Sequence, residues 1–358
     1  MTDLFEPLTF ARGPAMKNRF MLAPLTNSQS HTDGRLSDEE IYWLQKRAQG
    51  GFGLTMTAAA HVQAIGQGFP GQLGIFADEH LDGLTRLANI IHEADSLAAV
   101  QLHHAGMRSP AELIGTRPVC PSVNEEFGAR AMSVGEIEES IEAFIVAAQR
   151  AEQAGFDGVE LHGAHGYLLC QFLSSETNQR DDDYGGSLEN RAKPLLNVIR
   201  GIRERCRPDF QLGLRLSPER FGMDLGEVRE LAGRLMTSGD LDYLDMSLWS
   251  VFKEPEDEAW KGRTLLDCFV DLPRGETRLG VAGRIRRPED ARACLAAGVD
   301  FVLLGRAAIL HHDFPLRTQN EPDFEPVRPP VSPEYLANEG LSPAFVQYMR
   351  NWRHFVTD

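Results

Sequence analysis

The stretch Asp157-Gly-Val-Glu-Leu-His-Gly-Ala-His-Gly-Tyr167 decides the fold of this chain. Residues 157–161 are an apolar run typical of a buried strand, and residues 162–167 form a loop with two imidazoles and a phenol. Parallel α/β barrels collect their catalytic groups in such loops, at the carboxyl ends of their strands. We therefore expect this loop to grip and protonate an oxygen-bearing substrate.

Strand-like runs recur along the whole chain and alternate with helical segments. Such alternation predicts an α/β fold whose parallel strands are joined by right-handed crossovers, and eight strands close it into a (β/α)8 TIM barrel. The predicted strands are 19–23, 52–57, 98–102, 157–161, 211–216, 241–246, 278–281 and 300–304.

The remaining segments complete a single-domain architecture. Apolar runs at 4–10 and 16–23 predict an N-terminal hairpin. Residues 1–311 are expected to form the barrel, and residues 312–358 a C-terminal extension that packs on it or on a neighbouring subunit. The first predicted helix begins at Ser37. The other predicted helices cover 78–94, 133–155, 186–205, 225–238, 258–269 and 287–297.

Composition excludes several classes of protein. With 42% hydrophobic and 25% charged residues, 358 residues can bury one full core. A net charge of -16 without a basic stripe argues against a nucleic-acid partner. No apolar stretch approaches the roughly 18 residues that a membrane span needs, and no export signal is visible. The five cysteines are scattered, so we expect no metal centre and a reduced, cytoplasmic protein.

Two glycine-arginine pairs end the last two predicted strands, at Gly283-Arg284 and Gly305-Arg306. Glycine lets a phosphate approach backbone amides, and arginine offers a bidentate fork to phosphate oxygens. Barrels often hold a phosphate at this place. The alternative is that the glycines only make turns and the arginines are solvated. Because the pattern occurs twice, we expect a phosphorylated ligand.

Other rim positions carry hydrogen-bonding groups where packing does not require them. Thr26 and Gln101 end predicted strands, and Arg215 lies inside an apolar strand, where a charge needs a partner. Arg215 by itself is explained by a salt bridge to a neighbouring carboxylate. Together the three suit a flat heterocycle with several carbonyls, and FMN combines such a ring with a phosphate. His103 and His104 are expected to pack rather than to line the pocket.

A longer motif identifies a family that the chain resembles from about Leu4 to Leu310. This chain resembles the Old Yellow Enzyme family, the FMN-dependent NAD(P)H ene-reductases or NADH:flavin oxidoreductases. The motif comprises Val159-Glu-Leu-His-Gly-Ala-His-Gly-Tyr-Leu-Leu-Cys-Gln-Phe-Leu173, Asn178, Arg180, Asp181, Tyr184-Gly-Gly186 and Glu189-Asn-Arg191. Ala23-Pro-Leu-Thr26, Gln101-Leu-His-His-Ala-Gly106, Arg215 and the two glycine-arginine pairs support it.

The resemblance implies where a tightly bound, non-covalent FMN would lie. Arg215 would lie beside N1 and O2, where negative charge gathers when the flavin is reduced. The Thr26 hydroxyl would lie near N5 and O4. The implied ring contacts are Pro24, Thr26, Ala60, Gln101 and Arg215, and the implied phosphate ligands are Gly283, Arg284, Gly305 and Arg306.

The resemblance also implies a reaction. His162 and His165 would donate hydrogen bonds to the carbonyl oxygen of an activated alkene, which makes its β-carbon electrophilic. Hydride would pass from flavin N5 to that carbon, and Tyr167 would protonate the α-carbon. NADH or NADPH would then reduce the flavin again. The histidine pair lacks an evident third ligand, so we expect no metal there.

The tail resembles a segment with which some relatives reach a neighbouring active site. In Gln347-Tyr348-Met-Arg350-Asn-Trp352, Arg350 or Trp352 would enter a partner's substrate pocket in a homodimer or higher homo-oligomer. The alternative is that this tail docks on its own barrel.

Two other functions remain open from the residues. One is a flavin-free, phosphate-binding barrel lyase or isomerase in which His162 or His165 is the acid/base. The other is a flavin-binding protein without significant turnover. The activated alkene itself, the preference between NADH and NADPH and the stereochemistry are not encoded in a readable pattern.

Overall fold

The computed structural model describes residues 3–357 as a closed barrel of eight parallel strands. Each strand pairs with the next along the chain, and the last closes on the first through Met21 beside Leu303. The predicted (β/α)8 barrel is confirmed. The strands are β1 Phe20–Leu22, β2 Leu54–His61, β3 Leu97–His103, β4 Gly158–Gly163, β5 Gln211–Leu216, β6 Tyr243–Ser247, β7 Arg278–Ala282 and β8 Phe301–Leu304.

Helices surround the barrel and begin at residues that cap them. The Ser37 hydroxyl accepts the Glu40 N–H at 3.1 Å, and Ser133 forms a capping box with Glu136. The helices are α1 Asp38–Gln49, α2 Leu81–Glu93, α3 Ala111–Ile114, α4 Val134–Gln153, α5 Leu168–Leu173, α6 Leu188–Arg205, α7 Leu225–Thr237, α8 Asp267–Val270, α9 Pro288–Ala297, α10 Arg306–Leu310, α11 Phe314–Asn320, α12 Pro333–Asn338 and α13 Pro343–Met349.

The floor of the barrel is filled by large side chains from alternate strand positions. Glycines on the neighbouring strands make room for two of them. A Cβ on Gly213 would lie 2.0 Å from the Tyr243 ring, and one on Gly280 would lie 2.3 Å from the Phe301 ring. Because the amino-terminal half of the barrel interior is packed in this way, the interior is open toward the carboxyl ends of the strands.

The predicted N-terminal hairpin is reduced to a single antiparallel pair. Leu8 and Met16 exchange both backbone hydrogen bonds at 2.9 Å, and both side chains pack under the barrel floor. The residues between them bind the barrel instead of each other, since the Gln211 side chain donates to the carbonyls of Arg12 and Pro14. The segment therefore plugs the amino-terminal end of the barrel.

One predicted helix, over 258–269, is wrong. In its place are a 3-10 turn at Glu258–Trp260 and the short helix α8. Gly262 between them has φ +80, which interrupts a right-handed helix. The Asp267 carboxylate accepts both the N–H and the hydroxyl of Thr264, so the chain starts a new helix there.

The C-terminal segment packs on its own barrel through α1. Phe345 of α13 meets Trp43 edge to face at 5.4 Å between ring centroids. Lys46 donates to the carbonyl of Asn338 at 2.7 Å, and buried Arg47 donates to the carbonyl of Glu339 at 2.7 Å. Within residues 3–357, none of the helices has the length and apolar character needed to cross a membrane.

Candidate active site

A cavity of about 600 Å³ opens at the carboxyl ends of the strands. Its volume lies within the range of roughly 300–1,000 Å³ usual for ligand pockets. All but two of the predicted site residues line it, although they are far apart in sequence. These are Pro24, Thr26, Gln101, His162, His165, Tyr167, Arg215, Gly283, Arg284, Gly305 and Arg306.

The two others, Ala60 and Arg350, do not line the cavity. The register between β2 and β3 shifts between Met56 and Ala59, so Ala59 faces the cavity and Ala60 packs in the outer core. Arg350 is exposed and donates to the carbonyl of Thr357. The tail contributes different side chains to the lining, namely Tyr348, Met349, Trp352 and Arg353.

The two predicted histidines point their ring nitrogens at each other. His165 Nδ1 lies 3.2 Å from His162 Nε2, and the Ala164 N–H donates to His162 Nδ1 at 3.3 Å. A backbone N–H can only donate, so the His162 proton resides on Nε2. Burial, reinforced by neighbouring positive charge, lowers the pKa of His165 to about 3 and that of His162 well below its ordinary value. Both rings are therefore neutral at ordinary pH.

His165 is held in an unusual backbone conformation, with φ +60. The Ser217 hydroxyl accepts its N–H at 3.0 Å, and Arg108 donates to its carbonyl at 2.6 Å. Its ring Nε2 lies 2.8 Å from the Ser247 hydroxyl, which can donate or accept. Backbone and ring are thus anchored separately, and the ring lines the cavity with its Nδ1 against His162 Nε2.

Tyr167 follows the histidine loop and precedes α5. Its ring packs edge to face on His103, with centroids 4.3 Å apart, and the Arg108 guanidinium lies 4.7 Å from the ring centroid. Burial raises the pKa of the Tyr167 phenol, so the hydroxyl keeps its proton across the neutral range. Tyr167 lines the cavity, and its hydroxyl has no hydrogen-bond partner among residues 3–357.

His103 and His104 are adjacent and both are expected to pack, but only His104 does. His103 lines the cavity and its Nδ1 meets the Gln72 amide at 3.0 Å. His104 packs as expected, with its Nδ1 accepting the Gly106 N–H and its ring against Gly66. Successive residues of a strand point to opposite faces, so only one of them can reach the pocket.

Arg215 has the carboxylate partner that its burial required. Its Nε lies 3.1 Å from Asp245 Oδ2, and Nη2 donates to Ser247 at 3.3 Å. A second buried carboxylate lies next to this pair: Glu160 accepts a hydrogen bond from the Gln101 amide at 2.8 Å. Part of the positive charge of Arg215 is therefore compensated by protein.

The opposite end of the cavity is basic. Burial and the proximity of Arg286 and Arg284 lower the pKa of Arg306, and none of these three arginines forms an ion pair within residues 3–357. Gly283 has φ +150, and a Cβ there would lie 3.0 Å from the backbone of Trp249 and Ser250. Guanidiniums without an ion-pair partner, together with a glycine in the cavity lining, suit a phosphate.

The donor set fits FMN. Thr26, Gln101 and Arg215 can offer hydrogen bonds to a ring with several carbonyls, and Arg284 and Arg306, in the same lining, can offer guanidiniums to a phosphate. The buried polar atoms without a hydrogen-bond partner in the described chain include one oxygen of Glu160, both carboxylate oxygens of Asp245, and Nε of Arg215, whose side chain lines the cavity. The residues present therefore match both halves of the cofactor.

Some site residues were not found from the sequence. Ser247 and Asp245 alternate on β6, and Glu160 precedes His162 by two positions on β4, so all three face inward. The alternation of inward- and outward-facing positions along a strand is the sequence signal from which these three residues could be predicted. Arg108 lies outside the strands, and its contact with Tyr167 carries no local sequence signal.

Comparison with known proteins agrees with this geometry. A model of the NADH:flavin oxidoreductase / NADH oxidase family matches residues 3–323. The probable NADH-dependent flavin oxidoreductase YqiG of Bacillus subtilis (strain 168) is 37% identical over 327 residues, which are 88% of this chain and 87% of that protein. An NADPH dehydrogenase of Bacillus cytotoxicus is 34% identical over 90% of this chain and 94% of that protein.

Solved structures extend the likeness to the fold. The old yellow enzyme homologue from Zymomonas mobilis superimposes with a TM-score of 0.79 at 26% identity, over 96% of this chain and 99% of that one. Other matched proteins are longer, and this chain spans 36% and 52% of two of them.

Proposed function

Since this chain belongs to the NADH:flavin oxidoreductase / NADH oxidase family, which includes Old Yellow Enzyme, and is an FMN- and NAD(P)H-dependent oxidoreductase, we propose that it reduces the C=C bond of small activated alkenes. The observation that carries the proposal is the convergence of His162 Nε2 and His165 Nδ1, 3.2 Å apart, beside the free hydroxyl of Tyr167. An α,β-unsaturated carbonyl needs donors at its oxygen and an acid near its α-carbon.

The cofactor would be held by the lining residues at two ends. Pro24, Thr26, Gln101 and Arg215 would contact the ring, with Ala59 in the place expected for Ala60. FMN supplies the hydride-accepting and hydride-donating centre between NAD(P)H and the alkene. The residues that would hold its phosphate are Gly283, Arg284, Gly305 and Arg306.

The histidines bind and polarise the substrate carbonyl. His162 already carries its proton on Nε2, whereas His165 Nδ1 accepts that proton's hydrogen bond while the site has no substrate. To donate to a carbonyl as well, His165 must move its proton from Nε2 to Nδ1. The Ser247 hydroxyl permits this, because it accepts from Nε2–H in one tautomer and donates to bare Nε2 in the other.

Tyr167 is the proton donor of the proposed reaction. Its raised phenol pKa keeps the proton in place until negative charge develops at the α-carbon. The Arg108 guanidinium lies 4.7 Å from the centroid of the Tyr167 ring. Because opposite charges attract, it favours the phenolate that forms after proton transfer. The ring position is fixed by His103 on the other side.

The decisive experiment is anaerobic reoxidation of the NADH-reduced protein by 2-cyclohexen-1-one or maleimide. We expect the visible absorbance of oxidised FMN to return with one equivalent of alkene. A protein that contains FMN but stays reduced with every activated alkene would instead be a flavin-binding protein without this turnover. A colourless, flavin-free preparation that cannot be reconstituted would favour a lyase or isomerase that uses the histidine pair.

Replacing Ser247 by alanine tests the tautomer argument. We expect the KM for an enone to rise roughly 2- to 10-fold, the worth of one net hydrogen bond, with little change in FMN reduction by NADH. Steady-state kinetics with each substrate varied in turn measure this split. Ser247→Thr, which keeps the hydroxyl, should restore the KM, and Ser217→Ala, which removes only a backbone contact of His165, serves as the matched control. An unchanged KM in Ser247→Ala would contradict the tautomer argument.

Replacing Trp352 by alanine tests whether the tail lines the cavity of its own barrel. Its ring lies 5.9 Å from Arg306 and lines the cavity, so Trp352→Ala is expected to weaken retention of FMN and alter the KM for the alkene. Co-expression of Trp352→Ala with Tyr167→Phe subunits decides between the two placements of the tail. If each tail serves its own cavity, the mixture has the average activity of its parts. Restored activity would place the tail in a partner's cavity, as expected for a homodimer in which tails are exchanged.

A further inference from the structure

Three charged side chains, called the charged layer below, point into the barrel interior from adjacent strands, and one of them, Arg215, also lines the cavity. They are Glu160 on β4, Arg215 on β5 and Asp245 on β6, which are consecutive strands. Both carboxyl groups have no solvent exposure, so water cannot stabilise their charges. The layer holds two acids and one base, and one acid must remain without a countercharge.

Asp245 takes the guanidinium and Glu160 does not. Arg215 is opposite Asp245 in the strand register, and their charged atoms are 3.1 Å apart. Glu160 has one hydrogen bond, from the Gln101 amide, and its other oxygen has no partner among residues 3–357. Glu160 is therefore the acid without an ion-pair partner.

The other side chains around Glu160 do not compensate it. Opposite it on β5 is Gly213, whose missing side chain leaves room for the Tyr243 ring, and on β3 it faces only Gln101. The titratable and charged groups that bear on Glu160 are therefore Arg215, Asp245 and Tyr243. Burial and Asp245 raise the pKa of Glu160 by more than Arg215 and the Gln101 bond lower it. Burial also raises the pKa of Tyr243, so the phenol stays neutral.

Gln101 connects this acid to the cofactor end of the cavity. Its side chain lines the cavity and also donates to Glu160, so one amide separates the carboxyl group from a bound ring. A negative charge added to the ring would repel ionised Glu160 through a layer that water does not screen. Arg215 can offset only part of that charge because Asp245 already shares it.

We propose that Glu160 takes up one proton from solvent when the bound FMN is reduced and releases it when the flavin is reoxidised. NADH delivers a hydride, which is two electrons and one proton, so the cofactor gains one negative charge and NAD⁺ leaves. The proton on Glu160 cancels that charge: NADH, FMN, ionised Glu160 and one H⁺ become NAD⁺, reduced FMN and neutral Glu160. The inference rests on FMN lying over Gln101, as the proposed function requires. Glu160 is then a positioning residue that tunes the cofactor through Gln101.

Counting protons during reduction tests the proposal directly. The purified FMN-loaded protein is reduced anaerobically with one equivalent of NADH in weak buffer, and a pH indicator reports proton uptake between about pH 6 and 10. Because the raised pKa of Glu160 leaves it largely protonated at the acidic end of this range, we expect uptake in the wild type to be smallest near pH 6 and to rise toward one proton per flavin at the alkaline end. In Glu160→Gln, which keeps a hydrogen-bonding group of the same shape, that uptake should disappear.

Glu40→Gln is the matched control. Glu40 is also fully buried with a raised pKa, but it is bonded to Asn27 and Ser30 and does not line the cavity. Its variant should take up protons like the wild type. Equal uptake in wild type and Glu160→Gln would overturn the proposal.

Infrared difference spectra of the wild type keep the test decisive even if Glu160→Gln fails to fold or to retain FMN. At the alkaline end of the pH range, reduction should then produce the band of a newly protonated carboxyl group, and its absence there would refute the proposal. Neither readout requires an alkene. Proton uptake in a protein that enones cannot reoxidise would sink the proposed function alone, whereas rapid reoxidation without uptake would sink only this inference.

Discussion

Replacing Tyr167 by phenylalanine is expected to slow reoxidation of the reduced enzyme by an enone roughly 10²- to 10⁴-fold, the usual contribution of a general acid. Reduction of FMN by NADH or NADPH should be nearly unchanged. The substitution removes only the phenolic oxygen, and the ring keeps its packing on His103 and under Arg108. The loss should therefore fall on the step that consumes a proton.

Stopped-flow measurement of the two half-reactions separates these effects. Tyr335→Phe is the matched control, because its hydroxyl also makes a specific contact, a 2.7 Å bond to the carbonyl of Leu310, but does not line the cavity. Equal slowing of both half-reactions in Tyr167→Phe would show that the phenol shapes the site rather than donating a proton. Unchanged alkene reduction would assign the proton to another group or to water.

Much of this arrangement is predictable from sequence because a parallel barrel brings all strand ends to one rim. Recognising that 157–161 and 278–281 are strands is enough to place His162 and Arg284 on the same face, although 122 positions, from 162 to 284, separate them. The eight strands were found because each is a short apolar run bounded by turn or cap residues. The pairing of β1 with β8 follows from closure of the barrel and needs no separate sequence signal.

The charged layer could not be assembled from local patterns. Glu160, Arg215 and Asp245 each interrupt an apolar strand, which indicates buried partners but not which partner belongs to which residue. The pairing depends on register, since a shift of one residue would turn each side chain to the other face of the sheet. Only the structure places Arg215 opposite Asp245 and leaves Glu160 with Gln101.

Side-chain direction explains the remaining differences. The tail motif is recognisable in the sequence, but Tyr348 and Met349 at the end of α13, and Trp352 in the turn that follows it, line the cavity, whereas Arg350 is exposed. The position of a tail helix is decided by its packing, here Phe345 on Trp43, and that contact has no signature within the tail itself.

The basic end of the cavity contrasts with the rest of a strongly acidic chain. A net charge of -16 would repel phosphorylated ligands at long range, yet the cavity lining contains five arginines and no acidic residue. Salt screens the distant charges over about 8–10 Å, whereas those inside the cavity act at close range. We therefore expect the arginines of the cavity to govern the binding of FMN, which makes them sensitive targets for substitution.

The double variant Arg284→Ala/Arg306→Ala is expected to release FMN. Each substitution removes a hydrogen bond to the charged phosphate, worth about 1.5–3 kcal/mol. Together the two should raise the Kd for FMN roughly 10²- to 10⁴-fold. Visible absorbance after desalting and titration of the apoprotein with FMN measure this. Arg234→Ala on α7 is the control, since it removes a guanidinium paired only with exposed Glu230. Because riboflavin lacks the phosphate, its affinity should be almost unaffected by the double substitution. A parallel loss of riboflavin affinity would mean that these arginines maintain the shape of the cavity instead of binding a phosphate.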